Sequence, residues 1–297
     1  MKKLLSITLA AALLVSSFSM AAFAEEEVIQ GDGQLVGVSM PTKDLQRWNQ
    51  DGDNMKTQLE NAGYKVDLQY ASNDVQTQLS QIENMISNGA QVLVIAAIEG
   101  SSLGKALDMA KENEIPVFAY DRLLMDSDAV SYYATFDNYK VGSVQGQYII
   151  DSLDLENAEG PFNLEITAGD PGDNNATFFY NGAMDLLKPY IESGVLVVPS
   201  GQTEFKDCAT PEWKTETAQS RAENILSSYY AGGENVNAWL CSNDSTSLGV
   251  QKALEANYKG EYPVVTGQDC DKENVKNMLA EKQAMSVFKD TRTLANQ

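Results

Sequence analysis

Val92-Leu93-Val94-Ile95-Ala96-Ala97 is an uninterrupted apolar run, and the stretches on either side of it decide how the chain folds. A strand of a parallel sheet reads this way because helices cover both its faces. Upstream, Asn73 or Asp74 is placed to cap a helix carrying Val75, Leu79, Ile82 and Ile86 on one face, and Gly89 stops it. Before that helix, Val66 to Tyr70 reads as a strand. Trp48, Met55, Leu59 and Ala62 form a helical face ended by Gly63, and Leu35 to Val38 is the first strand. Downstream, a helix near Leu103 to Asn113 leads to a strand at Val117 to Tyr120.

The same alternation restarts after Tyr133 to Thr135. Strands are predicted at Phe162 to Thr167, Val195 to Val198, Ala238 to Cys241, Val264 to Thr266 and Met285 to Phe288. Helices are predicted near Tyr139 to Leu153, Ala176 to Tyr190, Thr215 to Tyr230 and Ser245 to Ala256. Repeated strand–helix units imply an α/β fold of two doubly wound parallel-sheet lobes packed across a cleft. The expected division is a leader over 1–24, a first lobe over 25–136 and a second lobe from 137 onward.

Composition narrows the chemistry. The 297 residues hold 21 basic and 42 acidic side chains, a formal net charge of −21, which argues against nucleic acid or an anionic membrane surface as partner. Histidine is absent, which removes histidine-dependent nucleophile systems and histidine-ligated zinc or haem. Cys208, Cys241 and Cys270 are too few and too spread for a zinc ribbon or an iron–sulfur cluster. Asp51-Gly52-Asp53-Asn54 has the start of a calcium loop but Ala62 at its twelfth position, so no metal is expected there. No cofactor is expected: Gly31-Asp32-Gly33-Gln34 precedes the first strand and reads as a flexible leader, not a phosphate loop.

Lys2 and Lys3, an apolar run from Leu4 and Ala22-Phe23-Ala24 make a secretory signal peptide with cleavage expected after Ala24. The mature chain then carries 19 basic against 42 acidic residues, a net charge of −23. No cysteine near the cleavage point is available for a lipid anchor, so the expected location is periplasmic or extracellular.

Polar clusters stand just after predicted strands, where ligands of doubly wound sheets bind. They are Lys43 and Arg47-Trp48, Asp121-Arg122, Asp173 with Asn174 and Asn175, Asn243-Asp244, Gln268-Asp269 and Lys289-Asp290. Singly, each reads equally well as a turn or a helix cap, and Asp121-Arg122 as an internal salt bridge. Together they suit a neutral polyol, because every buried hydroxyl needs both an acceptor and a donor. Trp48 and Trp213 are candidates to stack on a sugar ring, with core packing the competing role, and Trp239, inside an apolar strand, belongs to the core.

The ordered set Arg47-Trp48, Gln81-Ile82-Glu83-Asn84-Met85, Ala119-Tyr120-Asp121-Arg122, Asp173-Asn174-Asn175-Ala176, Leu187-Lys188-Pro189-Tyr190, Ser242-Asn243-Asp244 and Gly267-Gln268-Asp269 resembles the periplasmic xylose-binding and multiple-monosaccharide-binding proteins of ABC transporters. The likeness runs from about Leu35 to Ala295. It implies a type I periplasmic-binding fold, two lobes joined by a hinge with a monosaccharide between them, the second lobe over 137–283 and a segment over 284–297 returning to the first. Arg47, Asp121 and Arg122 would contact it from the first lobe, and Asp173, Asn175, Asn243 and Asp269 from the second. Lys289 on the returning segment would join them, with Trp48 and Trp213 as ring contacts and Lys43 a weaker addition.

Two departures from the family pattern are Cys270 after Gly-Gln-Asp and Cys241 before Ser-Asn-Asp. Both strand ends lie on one cleft edge in that fold, so a disulfide between them stays open. The chain also ends at Gln297 inside an expected helix, where the family continues with further elements of the first lobe.

The leading expectation is a monomeric receptor, not an enzyme, that closes on an aldopentose or aldohexose and presents it to a membrane permease. The alternatives are a sugar sensor docking on a membrane receptor and, of a different class, a secreted glycoside-processing enzyme using two cleft carboxylates.

Overall fold

The computed structural model describes residues 31–296. The signal peptide expected over 1–24 lies outside them, as does Gln297. The first sheet is built from β1 (Leu35–Met40), β2 (Lys65–Tyr70), β3 (Val92–Ile95), β4 (Val117–Tyr120) and β5 (Val130–Ala134), linked by α1 (Gln46–Asn61), α2 (Val75–Ser87) and α3 (Gly104–Glu112). All its pairings are parallel, in the order β2-β1-β3-β4-β5. Asp74 caps α2, its carboxylate accepting the Thr77 N–H.

The chain crosses over at Phe136 and Asp137 into α4 (Asn138–Ser152). There follow β6 (Phe162–Thr167), α5 (Asn174–Ser193), β7 (Leu196–Val197), α6 (Phe205–Cys208), a 3₁₀ turn at Pro211–Trp213, α7 (Thr215–Tyr229), β8 (Ala238–Cys241), α8 (Asp244–Asn257), β9 (Val264–Val265) and α9 (Lys272–Leu279). The second sheet is also parallel, in the order β7-β6-β8-β9. Both sheets therefore reverse their strand order between the first and third strands, the point where such folds open a crevice. The final helix, α10 (Thr291–Ala295), packs back on α1, with Asn54 Nδ2 donating to Thr291 Oγ1 at 2.8 Å.

Three expectations are corrected. Met285 to Phe288 is not a strand of a sheet: only Val287 forms a bridge, to Gln268, because this segment is leaving one lobe for the other. The strand predicted over Val195 to Val198 shortens to Leu196–Val197, an edge strand paired only with β6, and Pro199 follows close behind. Gly31 to Gln34 is not a loose leader, since the Gly31 and Gly33 N–H groups donate to the Ala62 and Gly63 carbonyls at 2.6 and 3.0 Å, and Gln34 O accepts from Lys65.

Helices α4 and α5 meet backbone to backbone. A Cβ on Gly142 would collide with the Phe179 carbonyl oxygen, and one on Gly182 with that of Tyr139. Because both obstacles are helix backbone, Gly142→Ala is expected to force the helices apart, a loss of about 1–3 kcal/mol that outweighs alanine's better helix propensity. Denaturant titration checks this; an unchanged or higher midpoint would show that the two helices have room to spare.

Candidate functional site

The two lobes face each other across a narrow cleft. All ten residues that the resemblance places on the sugar line it: Arg47, Trp48, Asp121, Arg122, Asp173, Asn175, Trp213, Asn243, Asp269 and Lys289; Asn174, Asp244 and Asp290 of the same clusters are not in its lining. Most converge because they follow the carboxyl end of a strand or sit on the returning segment; Trp213 arrives from the 3₁₀ turn after α6. Lys43 does not reach the cleft; it is exposed, with its Nζ 4.8 Å from the Tyr70 ring. Leu45, Phe179, Ser245, Gln268 and Asp271 complete the lining. Of these, only Gln268 had a sequence signal, as neighbour of Asp269 in the Gly-Gln-Asp motif.

Arg47 is the hub. Its Nε donates to Asp51 at 2.7 Å, its Nη2 to Asp121 at 2.6 Å, and its Nη1 reaches Asp269 of the other lobe at 3.4 Å. Asp51 stands one helical turn after Arg47 and is held in turn by the Tyr120 hydroxyl at 2.5 Å. The stretch that begins like a calcium loop therefore lies inside α1, with its first carboxylate turned to an arginine. Burial alone would lower the Arg47 pKa, but Asp121, Asp51 and Asp269 together raise it well above its ordinary value. For Asp121, burial pulls upward while Arg47 and Lys289 pull downward and win.

Asp121 and Arg122 do not pair with each other. Arg122 Nη1 donates to the Ala97 and Ile98 carbonyls at 3.0 and 3.1 Å, and its Nε lies 3.1 Å from Asp173 Oδ2 across the cleft. The Asp121 carbonyl accepts from Asn175 Nδ2 at 2.9 Å, another bond between lobes. Lys289 Nζ is 3.0 Å from Asp269. Asp173, the N-cap of α5, accepts the Asn175 N–H, and Asn243 caps α8 by a reciprocal bond with Thr246, so these two positions serve as caps as well as lining.

The Trp48 ring lies beneath the Arg122 guanidinium at 4.9 Å and packs into the first-lobe core, the competing role weighed for it, while its edge still lines the cleft. Trp213, placed in a polar loop by its sequence, is buried: its ring leaves no space for a Cβ on Gly169 and meets Phe179 edge-on at 6.2 Å. Asp121, Glu212, Trp213 and Asp269 all have left-handed backbone, with φ of 59, 57, 55 and 99°. Strain held at four non-glycine positions around one cleft is the mark of an imposed geometry. Cys208, Cys241 and Cys270 are all free thiols, which closes the disulfide question for this structure; burial pushes the Cys241 thiol up.

Two further carboxyls at the cleft edge titrate far from their ordinary range. Burial, then Asp269, pushes Asp244 up to about 8 and Asp271 up to about 7. The folded state holds these protons more tightly than the unfolded chain, so their contribution is full below about pH 4 and is lost as pH rises through 7 and 8. The ligand-free protein is therefore expected to melt higher at pH 6 than at pH 8.5, with a slope of up to about 1.4 kcal/mol per pH unit for each proton. Asp121, held low, acts oppositely in strong acid. Thermal melts at constant ionic strength test this: a flat or rising melting temperature between pH 6 and 8.5 contradicts it, and Asp244→Asn should flatten the slope.

Among the described residues, eleven side chains have a buried polar atom without a hydrogen-bond partner, and five of these line this one cleft; Arg122 Nε is ion-paired with Asp173, which leaves Asn175 Oδ1, Trp213 Nε1, Gln268 Oε1 and Asp271 Oδ1. Buried polar atoms are ordinarily satisfied, so such a concentration marks a place built to meet polar groups from outside the chain.

Comparison with known proteins agrees. Residues 36–297 match the family described as periplasmic binding protein domain. The chain is 48% identical to the multiple sugar-binding periplasmic receptor ChvE of Rhizobium radiobacter, over 99% of this chain and 82% of that protein. It is 36% identical to the D-xylose-binding periplasmic protein of Escherichia coli strain K12, over 88% and 74%. A crystal structure of an ABC transporter solute-binding protein from Clostridium phytofermentans with bound β-D-glucose superposes with a TM-score of 0.88 at 70% identity, covering 89% of this chain and 81% of that one. With its two doubly wound lobes and a polar cleft between them, the chain belongs to the periplasmic binding protein family, and its fold is the type I form of that family.

Proposed function

We propose that this protein is an extracytoplasmic monosaccharide receptor that closes its lobes on an aldopentose or aldohexose and delivers it to the permease of an ABC transporter. The observation that carries this reading is that four side chains, Asn175, Trp213, Gln268 and Asp271, each bring a buried polar atom without a partner to one cleft. Relatives named for multiple sugars and for D-xylose, and the glucose-bound structure, support the substrate class.

On this reading the ten cleft residues are the sugar contacts. Asp121, Asp173 and Asp269 accept from hydroxyls, Arg47, Arg122 and Lys289 donate to them, Asn175 and Asn243 do both, and Trp48 and Trp213 border the ring. Lobe boundaries at 25–136 and 137–283, with return over 284–297, place the hinge where the chain crosses near Phe136 and Val287. Binding without turnover is part of this reading, and relatives named as sugar receptors and sugar-binding proteins support it.

Isothermal titration of the mature protein with xylose, arabinose, glucose and galactose tests the proposal. At least one should bind at micromolar Kd or tighter, about −8 kcal/mol. Flat traces for all common aldopentoses and aldohexoses would sink it, and release of free sugar from an aryl glycoside would move the protein to the enzymes.

A further inference from the structure

We infer that Asp271 is a further specificity-determining residue of this cleft, its carboxylate accepting a hydrogen bond from one hydroxyl of the bound sugar. The inference rests on the sugar-binding reading above. Asp271 is the N-cap of α9, a position where aspartate ordinarily turns its carboxylate back onto the first N–H groups of the helix. Here it makes no such bond. Its own N–H donates to Asp244 Oδ2 at 2.8 Å, which anchors the backbone, and the next N–H, of Lys272, is taken by Gln46 Oε1 at 3.3 Å. The side chain lines the cleft instead, and Oδ1 is buried without a donor.

The turn that delivers it is imposed, since Asp269 and Cys270 just before it both hold left-handed backbone, with φ of 99 and 52°. The cations closest to this corner are already engaged: Arg47 and Lys289 both bind Asp269. An ionised carboxyl is an acceptor only, so Asp271 calls for a donor, and a neutral sugar presents one at every hydroxyl. Gln46 Nε2, itself buried and unpartnered, is the competing donor within the chain.

The test is titration calorimetry at pH 8 on wild type and Asp271→Asn with D-glucose and its series of monodeoxy analogues. The variant is expected to bind glucose about 10- to 100-fold more weakly, the range for a hydrogen bond to a charged group. One deoxy analogue should lose the same factor in wild type and lose nothing further in the variant, which identifies the hydroxyl; for the others the two losses should multiply. Unchanged glucose affinity, or losses that multiply for every analogue, would overturn the inference. The same holds if Gln46→Ala reproduces a uniform loss, because Asp271 would then serve lobe contact and not the sugar. Should Asp271→Asn not fold, Asp271→Ser, which can cap α9, carries the comparison. If wild type prefers another aldose, the deoxy series of that sugar is used, and wild type that binds no aldose overturns this inference together with the function it rests on.

Discussion

Arg47→Met is expected to unfold the protein at markedly lower temperature and to abolish sugar binding. Methionine keeps most of the apolar stem but removes the charge that three carboxylates share, at 2.7, 2.6 and 3.4 Å. Asp51 and Asp121 are buried at 0 and 4% relative exposure, so water cannot replace the guanidinium. Breaking a buried ion pair from one side costs about 3–5 kcal/mol, which for a chain of this size lowers the melting temperature by on the order of 10 °C. Arg47→Lys should recover part of the stability and little of the affinity, since an ammonium is a point charge and cannot hold three carboxylates in one plane. A melting temperature for Arg47→Met within about 2 °C of wild type would show that the carboxylates simply take up protons, and that the hub is not what holds the cleft.

Asp121→Ala separates ligand contact from architecture. Loss of its acceptor oxygens is expected to weaken sugar binding by about 2–4 kcal/mol, roughly 30- to 900-fold. Stability should fall less than in Arg47→Met, because Arg47 retains Asp51 and Asp269 as counter-charges. Part of the stability loss will come from the backbone: φ at this position is 59°, which asparagine tolerates and alanine does not. Asp121→Asn is therefore the matched control, keeping the left-handed turn while removing the charge. A large thermal loss in both variants with sugar affinity unchanged would refute Asp121 as a contact and weaken the other nine residues assigned on the same grounds.

How much of this is legible in the sequence can be judged from single positions. The strands and helices are legible wherever burial repeats with a fixed period, as in Val92 to Ala97 or along α2, because an element buried on one or both faces must write that period into its residues. Where an element is an edge strand or a crossing, as at Leu196–Val197 and Met285 to Phe288, few neighbours impose a pattern and the apolar run overstates the strand. The charged and amide cleft residues are legible as a set because parallel α/β topology sends every strand's carboxyl end to one side, so position along the chain already implies position in space; Trp213, in a loop away from any strand end, is placed by the fold.

Pairing is not legible. Asp121 and Arg122 are adjacent in the chain, yet they bind Arg47, 74 residues away from Asp121, and Asp173 of the other lobe. Neighbouring residues at a strand end point in different directions, and a left-handed residue turns the chain again, so side-chain partnership there depends on which other strand ends arrive. Asp51 and Asp271 show the same boundary from opposite sides. Asp51 stands in a stretch with the start of a metal loop and is the inner anchor of Arg47. Asp271 holds the place of an ordinary helix cap, yet its carboxylate leaves the helix end to line the cleft. What the sequence by itself determined was the order of elements and the side of each sheet on which its polar ends collect, because those follow from local periodicity and chain direction. Which charges meet, and which polar atoms are left without partners, only the tertiary structure decided, because such contacts form between segments that come together when the two lobes are assembled.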